Sequence, residues 1–286
     1  MNVIESKMKI TKCTIVTIIF WGLVNIGLIV YMQSNDYENP TEVNLAPELV
    51  RRFAPLRTLV IPADSNKPIE FQARILKPDR IEARRFYPLI VLLHGAGERG
   101  NDNQRQLKYL AQQMAQSPWQ EKYPCFLLAP QCPRNMNWSS PACAADSPDD
   151  NDQNLLDQIH QMILDISRKY PIDKRRIYIT GYSMGGFGTW SMIARYPELF
   201  AAAVPICGGG NTNTVSGFVH LPIWVAHGTR DEIVPVTSSR DMVDAFCKAG
   251  GNPIYQELEG IKHDSWTPTY AIDGGMFAWL FQQRKK

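Results

Sequence analysis

Two kinds of apolar pattern alternate along this chain. Short unbroken runs, rich in β-branched and aromatic residues, occupy Pro88–Leu93 (PLIVLL), Cys125–Ala129, Ile177–Thr180 (IYIT), Ala201–Cys207 and Leu221–Ala226. Runs of this length, apolar at nearly every position, fit strands buried on both faces. Between them lie longer segments whose apolar residues recur every three or four positions. Asn154–Tyr170 carries Leu155, Ile159, Met162, Ile163 and Ile166, a stripe down one helix face. Gln104–Ser117, Met184–Tyr196 (stopped by Pro197), Thr237–Ala249 and Gly275–Gln283 read as further helices, and Ile254–Leu258 as a last strand. Arg57–Ile61 and Glu70–Leu76 read as two earlier strands around the turn Ala63–Lys67. Alternation of this kind predicts an α/β domain: a mostly parallel sheet with helices on both faces. Functional residues in such a sheet gather at the carboxyl ends of the strands.

The N-terminus follows a different pattern. Lys7, Lys9 and Lys12 precede Cys13–Met32, a run of apolar character without a charged residue, and Asp36 and Glu38 follow it. About 20 such residues at a rise of about 1.5 Å each cover the hydrocarbon core of a bilayer. The lysines before the run put residues 1–12 in the cytoplasm and the main domain outside. An uncleaved signal anchor is the expectation, because the run is long for a signal peptide and no A-x-A site follows it; a cleaved signal peptide, giving a secreted domain, is the competing reading. Residues 33–55 read as a polar linker and 56–286 as the α/β domain. About 230 residues bury a sizeable core.

Composition narrows the classes further. The chain has 286 residues, 44% hydrophobic and 20% charged, with a formal net charge of +2. That balance excludes wholesale disorder, and the short, scattered basic clusters give no nucleic-acid signature. None of the six cysteines forms a C-x-x-C pair, so a structural zinc site is not expected. Cys132 and Cys143 flank a Pro/Asn/Ser-rich loop holding Trp138. They are either a loop-closing disulfide, in a domain outside the cytoplasm, or two thiols. Cys125 and Cys207 read as small buried hydrophobes.

The chemistry concentrates at four strand ends. Ile177–Thr180 breaks into Gly181-Tyr182-Ser183-Met184-Gly185, a G-x-S-x-G turn that leads directly into a helix. A tight strand–helix turn tolerates only glycine on either side and pushes the serine hydroxyl above the sheet edge, while the first helical N–H groups point at whatever it attacks. The Pro88–Leu93 strand ends in His94-Gly95-Ala96-Gly97-Glu98-Arg99, a loop suited to supplying a backbone N–H to an oxyanion. It matches neither G-K-[ST] nor G-x-G-x-x-G, which excludes the common phosphate loops. Glu98 and Arg99 read as an ion pair or loop clamp. Leu221–Ala226 ends in His227-Gly228-Thr229-Arg230-Asp231-Glu232, where Asp231 is the candidate to orient a histidine. His263, in the loop after Ile254–Leu258, is the candidate base. His94 and His227 read as structural histidines. The order Ser, Asp, His is that of one particular hydrolase fold.

With these stretches together the chain resembles the α/β-hydrolase superfamily. More narrowly it is similar to the esterases and peptidases related to dienelactone hydrolases, polyhydroxybutyrate depolymerase-like esterases and prolyl-oligopeptidase catalytic domains. LLHGAGERGNDN (Leu92–Asn103), APQCP (Ala129–Pro133), GYSMGGFGTW (Gly181–Trp190), HGTRDEIVP (His227–Pro235) and HDSW (His263–Trp266) carry the resemblance. It implies Ser183 as nucleophile, His263 as base and Asp231 as orienting acid, with the Ala96 and Met184 N–H groups as oxyanion donors. The implied activity is hydrolysis of carboxylic esters through an acyl-enzyme, on small-molecule or polysaccharide esters, with no metal or organic cofactor. Two alternatives stand beside it: a serine peptidase acting on short peptides, and a membrane-anchored binding protein of the same fold without catalysis. Trp138, Tyr182 and Trp266 either line the substrate site or pack in the core.

Overall fold

The structure is a computed structural model that describes residues 45–60, 69–139 and 150–286. The expected membrane segment, the turn Ala63–Lys67 and Cys143 lie outside the described residues. So does the proposed Cys132–Cys143 pairing, although Cys132 itself is buried. No helix among the described residues is long and apolar enough to cross a membrane.

Strand β3 (Tyr87–Leu93) is buried at every position, as an unbroken apolar run requires. Leu89, Val91 and Leu93 point into one hydrophobic layer, and Ile90 and Leu92 into the other. The remaining strands are β1 (Phe53–Val60), β2 (Ile69–Leu76), β4 (Phe126–Gln131), β5 (Ile172–Tyr182), β6 (Ala202–Ile206), β7 (Trp224–Gly228) and β8 (Ile254–Leu258). They form one eight-stranded sheet in the order β1-β2-β4-β3-β5-β6-β7-β8. β2 is antiparallel to both β1 and β4, and every other neighbouring pair is parallel. The first layer receives α4 (Asp150–Lys169), α5 (Met184–Arg195) and α6 (Thr237–Lys248); the second receives α2 (Leu110–Met114), α3 (Ser117–Lys122), α7 (Trp266–Thr269) and α8 (Met276–Leu280). The expected α/β architecture, with its layers on both sides of a mostly parallel sheet, is present.

Two segments differ from the sequence pattern. Residues 45–55, read as linker, already belong to the domain. Pro47–Arg51 forms the short helix α1 with proline in its first turn, and Phe53, 1% exposed, opens β1. The single helix expected over Gln104–Ser117 is broken. A 3₁₀ turn at Arg105–Leu107 and α2 are separated by Tyr109, whose φ of 52° no α-helix accommodates.

Candidate active site

The parallel strands deliver four loops to one edge of the sheet. At the end of β5 the chain turns through Ser183, with φ 55° and ψ −121°, straight into α5. The turn is closed by contacts that leave no room for side chains. A Cβ on Gly181 would lie 2.3 Å from the Gly185 carbonyl oxygen, and one on Gly185 would lie 1.9 Å from that of Leu93. The Ser183 N–H is held by the Ile206 carbonyl at 3.0 Å and by Cys207 Sγ at 3.3 Å. Cys207 is therefore more than a small hydrophobe: it sits under the serine, and burial pushes its thiol pKa well up, so the sulfur stays protonated.

His263 reaches over from the loop after β8. Its Nε2 lies 2.9 Å from Ser183 Oγ, and its Nδ1 lies 2.7 Å from Asp231 Oδ2. Because a carboxylate only accepts, Nδ1 carries the proton and Nε2 offers its lone pair to the serine hydroxyl. The Asp231 carboxylate is fully buried, its Oδ1 accepting the N–H groups of Ile233 and Val234, each at 2.9 Å. Burial alone would raise its pKa. Donors from His227, His263 and these two amides outweigh that and hold it below the ordinary carboxylate range.

His227 is one of those donors. Its Nε2 lies 2.9 Å from the Val234 carbonyl and 3.2 Å from Asp231 Oδ2. Both are acceptors, so Nε2 carries a proton. Its Nδ1 meets Ser239 Oγ at 2.7 Å, and that oxygen also lies 2.9 Å from the Gly208 carbonyl oxygen. The sequence reading treats His227 as structural; the structure adds direct contact with the acid. The signal for it is the H-G-x-x-D spacing, which brings the chain back on itself within one turn.

His94, by contrast, bonds only backbone among the described contacts, as expected. The Cys132 N–H donates to its Nε2 at 2.9 Å, and its Nδ1–H donates to the Gly95 carbonyl at 2.6 Å. Full burial pushes its pKa down to about 4. Behind it the loop makes a 3₁₀ turn at Ala96–Glu98, with Ala96 and Gly97 exposed. Gly95 is packed against the Tyr182 ring, where an added Cβ would come within 2.9 Å of Cε2. That contact fixes the loop against the residue preceding Ser183. Met184 opens α5, and neither its N–H nor that of Ala96 has a protein acceptor among the described residues. Glu98 and Arg99 do not pair with each other. Tyr182 donates to Glu98 Oε2 at 3.1 Å, and Arg99 bonds Asn137.

The three aromatic residues considered for substrate lining are buried instead. Trp138 is 0% exposed, donates its indole N–H to the His94 carbonyl and packs edge-on against the His94 ring. Tyr182 is 2% and Trp266 5% exposed, and the two rings pack on each other with centroids 4.7 Å apart. Trp266 also meets the His263 ring edge-on at 5.4 Å. Sequence could not separate these roles, because exposure depends on what the fold packs against each ring. The large apolar side chain left open beside the site is Ile233, 65% exposed in the turn that carries Asp231. A Cys207 sulfur, an Asp231 oxygen and a His263 nitrogen lie within 4.8 Å of one another. His263 and Asp231 are committed to each other by a hydrogen bond and burial keeps the thiol protonated, so the three do not form an open ligand set.

Comparison with known proteins agrees with the fold. Residues 80–271 match the family described as phospholipase/carboxylesterase. A thermostable esterase of known structure is 39% identical with a TM-score of 0.73, the match covering 83% of this chain and 64% of that one. The poly(3-hydroxyalkanoate) depolymerase C of Paucimonas lemoignei is 47% identical over 51 residues, 18% of this chain and 12% of its own. The bifunctional acetylxylan esterase/xylanase XynS20E of Neocallimastix patriciarum is 34% identical over 91 residues, 32% of this chain and 13% of its own. The matched stretches are thus small parts of these two curated relatives. A feruloyl esterase module from Clostridium thermocellum shares the fold, with a TM-score of 0.58 at 15% identity.

Proposed function

The chain belongs to the phospholipase/carboxylesterase family of the α/β-hydrolase superfamily, and on that premise we propose that it cleaves carboxylic esters through an acyl-enzyme formed on Ser183. The observation that carries the reading is the continuous hydrogen-bonded line from Ser183 Oγ through His263 to Asp231. His263 Nε2 takes the hydroxyl proton as Oγ attacks the ester carbonyl. Asp231 holds the imidazole in the required tautomer and stabilises the imidazolium. The oxyanion develops against the N–H groups of Ala96 and Met184, the second reinforced by the N-terminal end of α5. Imidazolium then returns its proton to the departing alkoxide, and the alcohol leaves. Water, deprotonated by the same nitrogen, attacks the acyl-enzyme; the acid leaves and Ser183 Oγ regains its proton. Every step uses side chains and amides of this chain.

What surrounds the serine supports one substrate class. With Trp138, Tyr182 and Trp266 buried, the exposed Ala96–Gly97 turn and Ile233 frame an open site, suited to an ester carried on a larger molecule such as a polysaccharide. The relatives named for acetylxylan and polyhydroxyalkanoate support this choice. The lysines before Cys13–Met32 and the acidic residues after it support a catalytic domain outside the cytoplasm, carried on that anchor. A hydrolysis screen of short and long p-nitrophenyl esters, acetylated xylan, feruloyl esters and peptide amides tests the class. Turnover of esters, abolished by Ser183→Ala, is expected; turnover of amides alone would replace the esterase reading with a peptidase.

A further inference from the structure

The end of the sheet opposite Ser183 is built differently from the rest of the surface. Three large apolar side chains stand out as exposed among the described residues. Two of them, Ile81 at 45% and Phe86 at 60%, lie in the single loop between β2 and β3. Every residue from Asp79 to Phe86 is exposed. The Phe86 carbonyl is pinned to the start of β5 by Arg176 Nη2 at 3.1 Å, and Phe86 lines a surface recess with Ile172, Lys174 and Arg175. The apolar side chains are therefore held beside cations on a fixed frame.

The charge at this end is one-sided. Around this loop three acidic groups are already engaged, Asp79 by Arg52, Glu82 by Arg85, and Asp173 by both Arg176 and Arg284. Arg80, Arg84 and Lys174 have no acidic partner among the described residues. A chain of net charge +2 thus concentrates uncompensated positive charge around two exposed apolar side chains. The domain is also entered here. Phe53, the first residue of β1, pairs with Leu76, the last of β2, and Arg52 just before it bonds Asp79. Upstream of that entry lies the apolar run Cys13–Met32.

We propose that this face, centred on Arg80, Ile81, Arg84 and Phe86, docks on an anionic lipid surface. Arginines at such a surface each strengthen partition by roughly fivefold, and an apolar side chain between them enters the headgroup boundary. The apolar run upstream in the sequence favours a bilayer over a soluble polyanion, which would leave Ile81 and Phe86 without a partner. Docking in this orientation turns Ser183 away from the membrane, toward substrate in solution or in the cell envelope.

The test reconstitutes the full chain with vesicles of phosphatidylcholine alone or with one-third phosphatidylglycerol, and follows amide hydrogen exchange across Asp79–Phe86. Slower exchange on the anionic vesicles, lost in the variant Arg80→Glu/Arg84→Glu/Lys174→Glu and weakened by Phe86→Ser, is expected. Ester hydrolysis should stay at the parent level in both variants, which also shows that they fold. Equal exchange on the two lipids, protection that survives the charge reversal, or protection by soluble heparin without vesicles would overturn the proposal. Flotation with the neutral vesicles reports the apolar run separately, so the anchor and the docking face fail independently.

Discussion

His227 Nε2 lies 3.2 Å from Asp231 Oδ2, the same carboxylate oxygen that receives His263 Nδ1–H at 2.7 Å. One acid thus holds two imidazoles, one leading to the nucleophile and one anchored through Ser239 to Gly208. Losing the rear donor leaves the carboxylate one hydrogen bond short in a buried site. A bond to a charged group there is worth about 1.5–3 kcal/mol, or roughly 10- to 100-fold in rate if it acts through the acid. His227→Phe should therefore lower kcat by that factor with KM little changed. His227→Gln, which keeps an N–H near the Nε2 position, should recover most of it. Equal losses in both variants, or a change confined to KM, would assign His227 to packing alone.

In the proposed mechanism Asp231 acts through its charge and its acceptor geometry. The donors around it hold its pKa below the ordinary carboxylate range, which favours the ionised form. Asp231→Asn keeps the shape but turns an N–H₂ toward His263 or flips the imidazole to the wrong tautomer. By analogy with other Ser-His-Asp enzymes, kcat should fall about 10⁴-fold, measured on an activated ester, with thermal stability changed far less than activity.

His94 supplies a pH signature of stability. Burial lowers its pKa from 6.5 to about 4, so the unfolded chain binds a proton that the folded one refuses between those values. The contribution is complete above pH 6.5 and is lost as pH falls toward 4. The difference corresponds to about 3 kcal/mol. Urea midpoints measured across this window should fall with acidification. In His94→Asn, whatever its starting stability, that part of the slope should disappear.

The glycine two residues after the serine should separate sharply from one in the loop after β3. Gly185→Ala places a methyl 1.9 Å from the Leu93 carbonyl oxygen, whereas an added Cβ at Gly97 meets nothing within 4 Å. Gly185→Ala should prevent folding or cost well over about 3 kcal/mol. Gly97→Ala should change the unfolding free energy by no more than a surface substitution does, about 0.5 kcal/mol.

Much of this site is legible in the sequence because its residues sit at strand ends, and the strands are marked by unbroken apolar runs. Ser183 is announced by glycines that the Leu93–Gly185 approach demands, and Asp231 and His263 by following β7 and β8 directly. Other features are set by packing between distant segments. Nothing local marks Tyr109 as taking a positive φ, which splits the helix expected over Gln104–Ser117. Phe53 looks like linker until Leu76 pairs with it. Trp138 reads equally as lining or as core until His94 and Gly188 close on it: an added Cβ at Gly188 would touch Trp138 Cβ at 2.4 Å. The turn that folds His227 onto Asp231 is likewise visible only in three dimensions, although both ends of it stand in the sequence.

The central claim is that Ser183, activated by His263, takes the acyl group. Intact-mass measurement after treatment with a fluorophosphonate probe tests it most directly. One phosphonyl adduct per chain, mapped to Ser183, absent in Ser183→Ala and slowed at least about 10³-fold in His263→Ala, is the predicted result. An adduct that persists in Ser183→Ala, or no adduct on a parent protein that hydrolyses esters, would contradict it.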